Sequence, residues 1–244
     1  MAVAIYFDMA CRITTGARDF ESMRTESLSV REPWFDELEH AACFDGAALA
    51  GELDRLKTRA VVSMQILCGP VLGRLADAAG GLAFRPARSE VGKPEARVYQ
   101  EFGYCGSIPA AHAVSRLASW FETRLRDVLV LMQSPPIPMD FTINDIVCQQ
   151  YLPGDRGISP HRDHVSYTGL IILVLLSGRG RYFVCKDRRG GHCREIPSAP
   201  GWAILMPGPG YAGRGDRPFH MVGDITSLRY SVGLRHDKRK PPAS

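Results

Sequence analysis

A mainly β fold with flanking helices, its strands forming a sandwich or barrel, is predicted by three features of this 244-residue chain. From about Ile143 onward the segments INDIVCQQY, GLIILVLLSG, RYFVC, GWAILMPG and LRYSVGLRH are short, apolar or alternating, and separated by glycine and proline turns. Before that point two stretches carry helical rather than strand periodicity. With 45% hydrophobic residues, the chain is long enough to bury one full core, so helices covering a sheet is the expected arrangement.

The N-terminal third reads as mostly helical. In GPVLGRLADAAGG, Pro70 stands at a first helical position and Gly80 where the helix would end. In AAHAVSRLASWFETRLRDVLVLM, the residues Val114, Leu117, Phe121, Leu125, Val128 and Leu129 recur at helical spacing and define a packing face. The β segments follow, and HDKRKPPAS closes the chain as a basic tail whose charges are expected to be solvated.

Bulk properties narrow the setting. A net charge of +4 permits an anionic partner without requiring one. Seven scattered cysteines with no C-x-x-C pair argue against a disulfide framework and for a reducing, cytoplasmic location. The N-terminus lacks the basic and long apolar regions of a secretory signal, and no run approaches the ~18 apolar residues of a membrane span.

The chemistry is carried by ISPHRDHVSY. On an extended segment residues i and i+2 share a face, so His161 and Asp163 converge while Arg162 and the rival His164 point elsewhere. His220 follows 59 residues later, within RPFHMVGD in the same β region. Two imidazoles and one carboxylate, with other positions open, suit a non-haem Fe(II) centre that also takes a co-substrate and oxygen. In RYSVGLR, alternation puts Arg229, Ser231, Gly233 and Arg235 on one face and Tyr230, Val232 and Leu234 on the other. Inward guanidinium groups require anions, and their planar donor pairs match a dicarboxylate. Upstream, Gln149 and Tyr151 share a face of the strand that precedes the Pro-Gly turn and are placed to complete such a pocket.

Taken in order, QQY, PG, HRD, FH and RYSVGLR resemble the pattern of the AlkB-like Fe(II)/2-oxoglutarate-dependent dioxygenases, in which N-x-Y, Pro-Gly, H-x-D, a distal His and R-x-N/S-x-x-x-R follow one another. The likeness covers roughly residues 94–237 and includes RVYQEFGYCGS. It implies a double-stranded β-helix (jelly-roll) core over 94–237, preceded by a helical N-terminal extension over 1–93 and followed by the tail at 238–244. It further implies iron on His161, Asp163 and His220, and 2-oxoglutarate on Arg229 and Arg235 with Tyr151, Gln149 and Ser231 beside it. With Fe(II), 2-oxoglutarate and O2 the expected reaction is oxidative hydroxylation or demethylation. An alkylated base in DNA or RNA is the first expected substrate; the alternative is a small molecule or amino acid. A protein hydroxylase or a non-catalytic binding module stands behind both.

Substrate contacts are expected from Tyr99, Phe102 and Tyr104, which could stack a flipped base, and from Arg188 and Arg189 of the KDRRGGHCR hairpin loop, which with Lys186 and Arg194 could meet phosphates. Two other signals carry little. GPGYAG fits G-x-G-x-x-G but leads into no helix, so it reads as a loop. Cys185, His192 and Cys193 lack the fourth ligand and the spacing of a zinc site.

Overall fold

A computed structural model describes residues 33–241. Helices α1 (Pro33–His40) and α2 (Gly46–Leu56) come first, followed by strand β1 (Val62–Gln65) and helix α3 (Val71–Gly80). Four short strands, β2 (Arg85–Pro86), β3 (Glu90–Val91), β4 (Val98–Glu101) and β5 (Gly103–Cys105), lead to the long helix α4 (Ala113–Leu131). The remainder is strand: β6 (Asp145–Tyr151), β7 (Gly157–His161), β8 (Tyr167–Ser177), β9 (Arg181–Cys185), β10 (Arg194–Ile196), β11 (Trp202–Pro207), β12 (Phe219–Gly223) and β13 (Arg229–Asp237).

Local chemistry accounts for the helices. Asp45 caps α2 by accepting from the Ala48 amide at 2.8 Å, and Leu49, Leu53 and Leu56 form its buried stripe. His112 plays the capping role for α4, its Nδ1 accepting from the Val114 amide at 3.2 Å. All six residues of the expected α4 packing face are buried.

The strands form two antiparallel sheets. The larger runs β1-β11-β8-β13-β6-β5-β2 and the smaller β10-β9-β12-β7-β4-β3. The GLIILVLL run is apolar throughout because β8 is covered on both sides. Leu170, Ile172, Val174 and Leu176 face the helices with Leu117, Trp120 and Phe121, whereas Ile171 faces the second sheet with Tyr151, Tyr182, Ile204 and Val222. The mainly β class and the helical cover agree with the sequence reading; this is the jelly-roll arrangement.

Three expectations change. The N-terminal third is not helical alone: β1 pairs with β11 as the edge of the larger sheet, and β2 and β3 extend both sheets. The part of the expected extension before residue 33 lies outside the described residues. The cysteines do pair, as Cys43–Cys68 and Cys185–Cys193. The first pair meets because the Ala42–Leu67 bridge aligns two segments distant in sequence, and the second closes the hairpin loop between β9 and β10. Pairing set by tertiary register leaves no spacing motif. The tail is also engaged: Arg239 pairs with Asp237 at 2.7 Å and Lys240 with Asp145 at 2.6 Å. Among the described residues no helix is long and apolar enough to cross a membrane.

Candidate metal centre

The site lies between the sheets and is assembled by register. His220 on β12 pairs directly with His161 on β7, yet two residues further along β12 Val222 pairs with Ile158, three residues back on β7. The extra residue is a bulge containing Pro160, which has no amide to donate to a ladder. Simple alternation would put Ile158 and His161 on opposite faces; the bulge turns both inward. Gly157 begins the strand at φ +78°, and a Cβ there would lie 2.1 Å from the Val222 carbonyl oxygen, so only glycine allows this approach.

Ligand atoms of His161, Asp163 and His220 all lie within 4.8 Å of one another. The two imidazole centroids are 4.2 Å apart, and the Tyr182 ring stacks on His220 at 5.6 Å. His161 Nδ1 meets the Ser159 carbonyl at 3.0 Å and His220 Nδ1 the Pro218 carbonyl at 3.3 Å. A carbonyl only accepts, so each Nδ1 carries the proton and each Nε2 keeps its lone pair for a metal. Burial, followed by the neighbouring His220, pushes the His161 pKa down to about 3, and burial lowers that of His220 as well. Both rings are therefore neutral at ordinary pH. Burial opposes ionisation of Asp163, but the positive charges around it, a proton on His220 where that ring carries one and the Arg235 and Arg217 guanidinium groups, hold its carboxyl below the usual range. Its Oδ2 is buried without a hydrogen-bond partner. A buried, charged, unpartnered oxygen facing two imidazole lone pairs fits a divalent cation of Fe(II) type. His164 is not part of the set; it is exposed and bonds Ser166 Oγ at 2.8 Å.

On β13, Arg229 is 3% exposed. Its Nη1 donates to Ser231 Oγ at 3.0 Å, Ser231 Oγ donates to Gln149 Oε1 at 3.3 Å, and the guanidinium lies 5.0 Å from the Tyr151 ring centre. Register explains the grouping, since Arg229 pairs with Tyr151 and Ser231 with Gln149 across β13 and β6. Arg229 Nε is buried and unpartnered, and among the described residues no carboxylate reaches this side chain at ion-pair distance. Burial lowers its pKa and raises that of Tyr151 to about 12, which keeps the phenol a donor. A buried cation with only neutral neighbours has the chemistry that an anion would satisfy.

Arg235, unlike Arg229, has a carboxylate partner within the chain. It is buried like Arg229, but its Nη1 pairs with Asp145 at 3.2 Å and the group lies 4.9 Å from the Tyr167 ring centre. Its Nε remains unpartnered. Gly233 makes room for it, since a Cβ there would meet Arg235 Nη2 at 2.6 Å.

The five candidate substrate residues do not converge. Tyr99 is exposed on β4, and alternation turns it away from its buried neighbour Val98. Phe102 packs against Tyr151 with centroids 5.3 Å apart, which makes it part of the wall. Tyr104 pairs with Gln149 in register and shares its inner face, partly exposed. Arg188 donates to the Ala96 carbonyl at 3.1 Å and lies 5.5 Å from the Phe219 ring centre, and Arg189 is exposed on the hairpin loop. In that loop the two cysteines are joined to each other, which corrects any metal reading of Cys185, His192 and Cys193. Gly208–Gly213 forms a loop ending in one 3-10 turn, as expected. Sequence reasoning missed Asp145 and Tyr182; a tyrosine inside RYFVC reads as core, and the Asp145 partners become visible only once the register of β13 is known.

No family model matches the chain, and no curated protein matches it in sequence. Solved structures match it in fold at low identity. A prolyl hydroxylase from Trichoplax adhaerens, in complex with a hypoxia inducible factor oxygen degradation domain peptide fragment, superposes with TM-score 0.55 at 12% identity, covering 80% of this chain and 91% of that one. A prolyl-4-hydroxylase from Pseudomonas putida gives 0.51 at 13%, covering 78% and 99%. An oxidoreductase of the 2OG-Fe(II) oxygenase family from Burkholderia pseudomallei gives 0.50 at 14%, covering 80% and 92%. The fold is that of the 2OG-Fe(II) oxygenases.

Proposed function

We propose that this chain is an Fe(II)- and 2-oxoglutarate-dependent oxygenase that hydroxylates a carbon–hydrogen bond of a small or peptidyl amino-acid substrate. One observation carries the reading: three convergent ligand atoms, one of them a buried carboxylate oxygen without a partner, beside a buried arginine that no carboxylate neutralises. His161, Asp163 and His220 would hold Fe(II), which when bound supplies the coupling of 2-oxoglutarate decarboxylation to substrate oxidation by O2. Arg229 would take the distal carboxylate of 2-oxoglutarate through a planar donor pair, with Tyr151 and Ser231 supporting it. Asp163 would offset part of the metal charge. Tyr182, stacked on His220, fixes one ligand ring, and Phe102 and Tyr151 exclude water from the wall of the pocket.

The substrate class rests on what surrounds the opening. Tyr99 is exposed and Phe102 is packed on Tyr151, so the two rings do not make a stacking pair and an aromatic slot for an extruded base is incomplete. The hydroxylases that share the fold, one of them with a peptide bound, support an amino-acid substrate. The AlkB-like motif order supports an alkylated nucleobase, with formaldehyde as co-product, as the second reading. Succinate release from Fe(II) and 2-oxoglutarate, measured with free amino acids, proline-bearing peptides and methylated oligonucleotides, tests both. Stimulation by an amino-acid or peptide substrate supports the first, and stimulation by the methylated strand alone replaces it with the second. No succinate under any condition overturns the oxygenase reading.

A further inference from the structure

Asp163 lies two residues beyond the end of β7, so the ladder that sets His161 opposite His220 does not reach it. Its main-chain carbonyl instead accepts a hydrogen bond from Arg217 Nη1, three residues before His220. The same RPFH segment makes two further contacts at the site. The Pro218 carbonyl meets His220 Nδ1 at 3.3 Å, and the Phe219 ring carries the Arg162 guanidinium 4.1 Å from its centre. Arg162 stands between His161 and Asp163, so Phe219 and Arg217 touch adjacent residues of the ligand-bearing segment. The near end of RPFH is itself fastened. Arg214 donates from Nε and Nη2 to the two oxygens of Asp216 at 2.8 and 2.7 Å, and from Nη1 to the carbonyls of Leu56 at 2.8 Å, Lys57 at 3.2 Å and Arg59 at 2.9 Å.

We propose that Arg217 is a positioning residue: it fastens the Asp163 main chain to the segment that carries His220 and so fixes the carboxylate and imidazole ligands relative to each other. The inference rests on the metal-site reading above. Asp163 Oδ2 lies 3.7 Å from His220 Nε2, a separation that a shift of the Asp163 backbone changes directly. Because the grip is on the carbonyl, the carboxylate stays open to the cation; Oδ2 has no hydrogen-bond partner. Groups that orient metal ligands in this way govern affinity without touching the metal. The charge of Arg217 acts in the opposite sense, since a guanidinium repels a divalent cation nearby. Removing the side chain therefore strengthens metal binding if only its charge counts, and weakens it if its hydrogen bond holds the ligand in place.

The test is Mn(II) affinity of the metal-free full chain, measured calorimetrically without 2-oxoglutarate, so that turnover is not the readout. Circular dichroism of each metal-free variant checks the fold. Arg217→Met, which keeps the stem and removes the donor and the charge, is expected to weaken Mn(II) binding about tenfold or more. Arg217→Lys is expected to recover affinity to within about threefold of the parent, because one carbonyl needs one donor and an ammonium supplies it. Affinity in Arg217→Met that equals or exceeds the parent value overturns the proposal. So does a lysine variant that binds no better than the methionine one, since the loss then follows the shape of the side chain and not its donor. If Arg217→Met fails to fold, Arg217→Gln, which keeps a polar group but is too short to span the same distance, takes its place with the same outcomes. A parent chain that binds no Mn(II) contradicts the metal-site reading instead, so the two failures are distinguishable.

Discussion

Replacing Arg229 by methionine isolates the co-substrate pocket. In the ligand-free protein this guanidinium is 3% exposed, hydrogen-bonded only to neutral partners, and has an unpartnered Nε, so its charge is a cost to the fold. A bound carboxylate turns that cost into two charge-assisted hydrogen bonds, each worth about 1.5–3 kcal/mol. Taking the lower value for both gives about 3 kcal/mol, or roughly a 150-fold loss of 2-oxoglutarate affinity. Methionine fills similar space without a charge, so the ligand-free variant is expected to melt no lower than the parent. Arg229→Lys should recover only part of the affinity, because an ammonium cannot present a planar donor pair. The assay is the succinate-release rate against 2-oxoglutarate concentration, together with a melting curve without ligand. A change in 2-oxoglutarate affinity below about threefold would refute the reasoning.

Other perturbations probe the rest of the site. His161→Ala and Asp163→Ala should each abolish succinate release and Mn(II) binding while leaving the far-ultraviolet circular dichroism of the parent, since neither side chain belongs to the core packed under the helices. Gly157→Ala forces a Cβ at φ +78° into the Val222 carbonyl and should cost at least about 1–3 kcal/mol in urea unfolding, with metal affinity falling as β7 shifts against β12. Gly233→Ala puts a Cβ 2.6 Å from the buried Arg235 Nη2 and should cost about 1–3 kcal/mol for overpacking, read by urea unfolding. Metal-free protein should lose stability as pH falls from 6.5 to 5. His161 has its folded pKa depressed to about 3 against an ordinary 6.5, so the unfolded chain binds the extra proton in that window. The loss assigned to His161 is about 1–2 kcal/mol by urea unfolding, and His161→Asn should reduce the pH dependence, with the depressed His220 retaining a share.

Much of this was readable in the sequence, for identifiable reasons. The glycine and proline turns and the alternation of β6 and β13 are local signals, and they placed Arg229, Ser231, Gln149 and Tyr151 on one inner face. H-x-D works at short range, and His220 was found because it falls in the same β region. What was not readable depends on register. The bulge at Pro160 is invisible without knowing that β12 is the partner of β7; it precedes His161, so the i, i+2 spacing of His161 and Asp163 is untouched by it. Asp145 opposite Arg235, the Cys43–Cys68 pair and the engagement of Lys240 each join segments more than 20 residues apart. Tyr99 and Phe102 were grouped by closeness in sequence, whereas Tyr99 is exposed on β4 and Phe102, beyond the end of that strand, packs against Tyr151.

The central claim is that one pocket binds Fe(II) and 2-oxoglutarate together. Anaerobic calorimetric titration of 2-oxoglutarate into the chain, with and without one equivalent of Fe(II), tests it most directly. The account expects binding at one equivalent that is much tighter with the metal present, lost in Asp163→Ala and weakened in Arg229→Met. Binding indifferent to Fe(II), or none in a folded and metal-loaded chain, would contradict it.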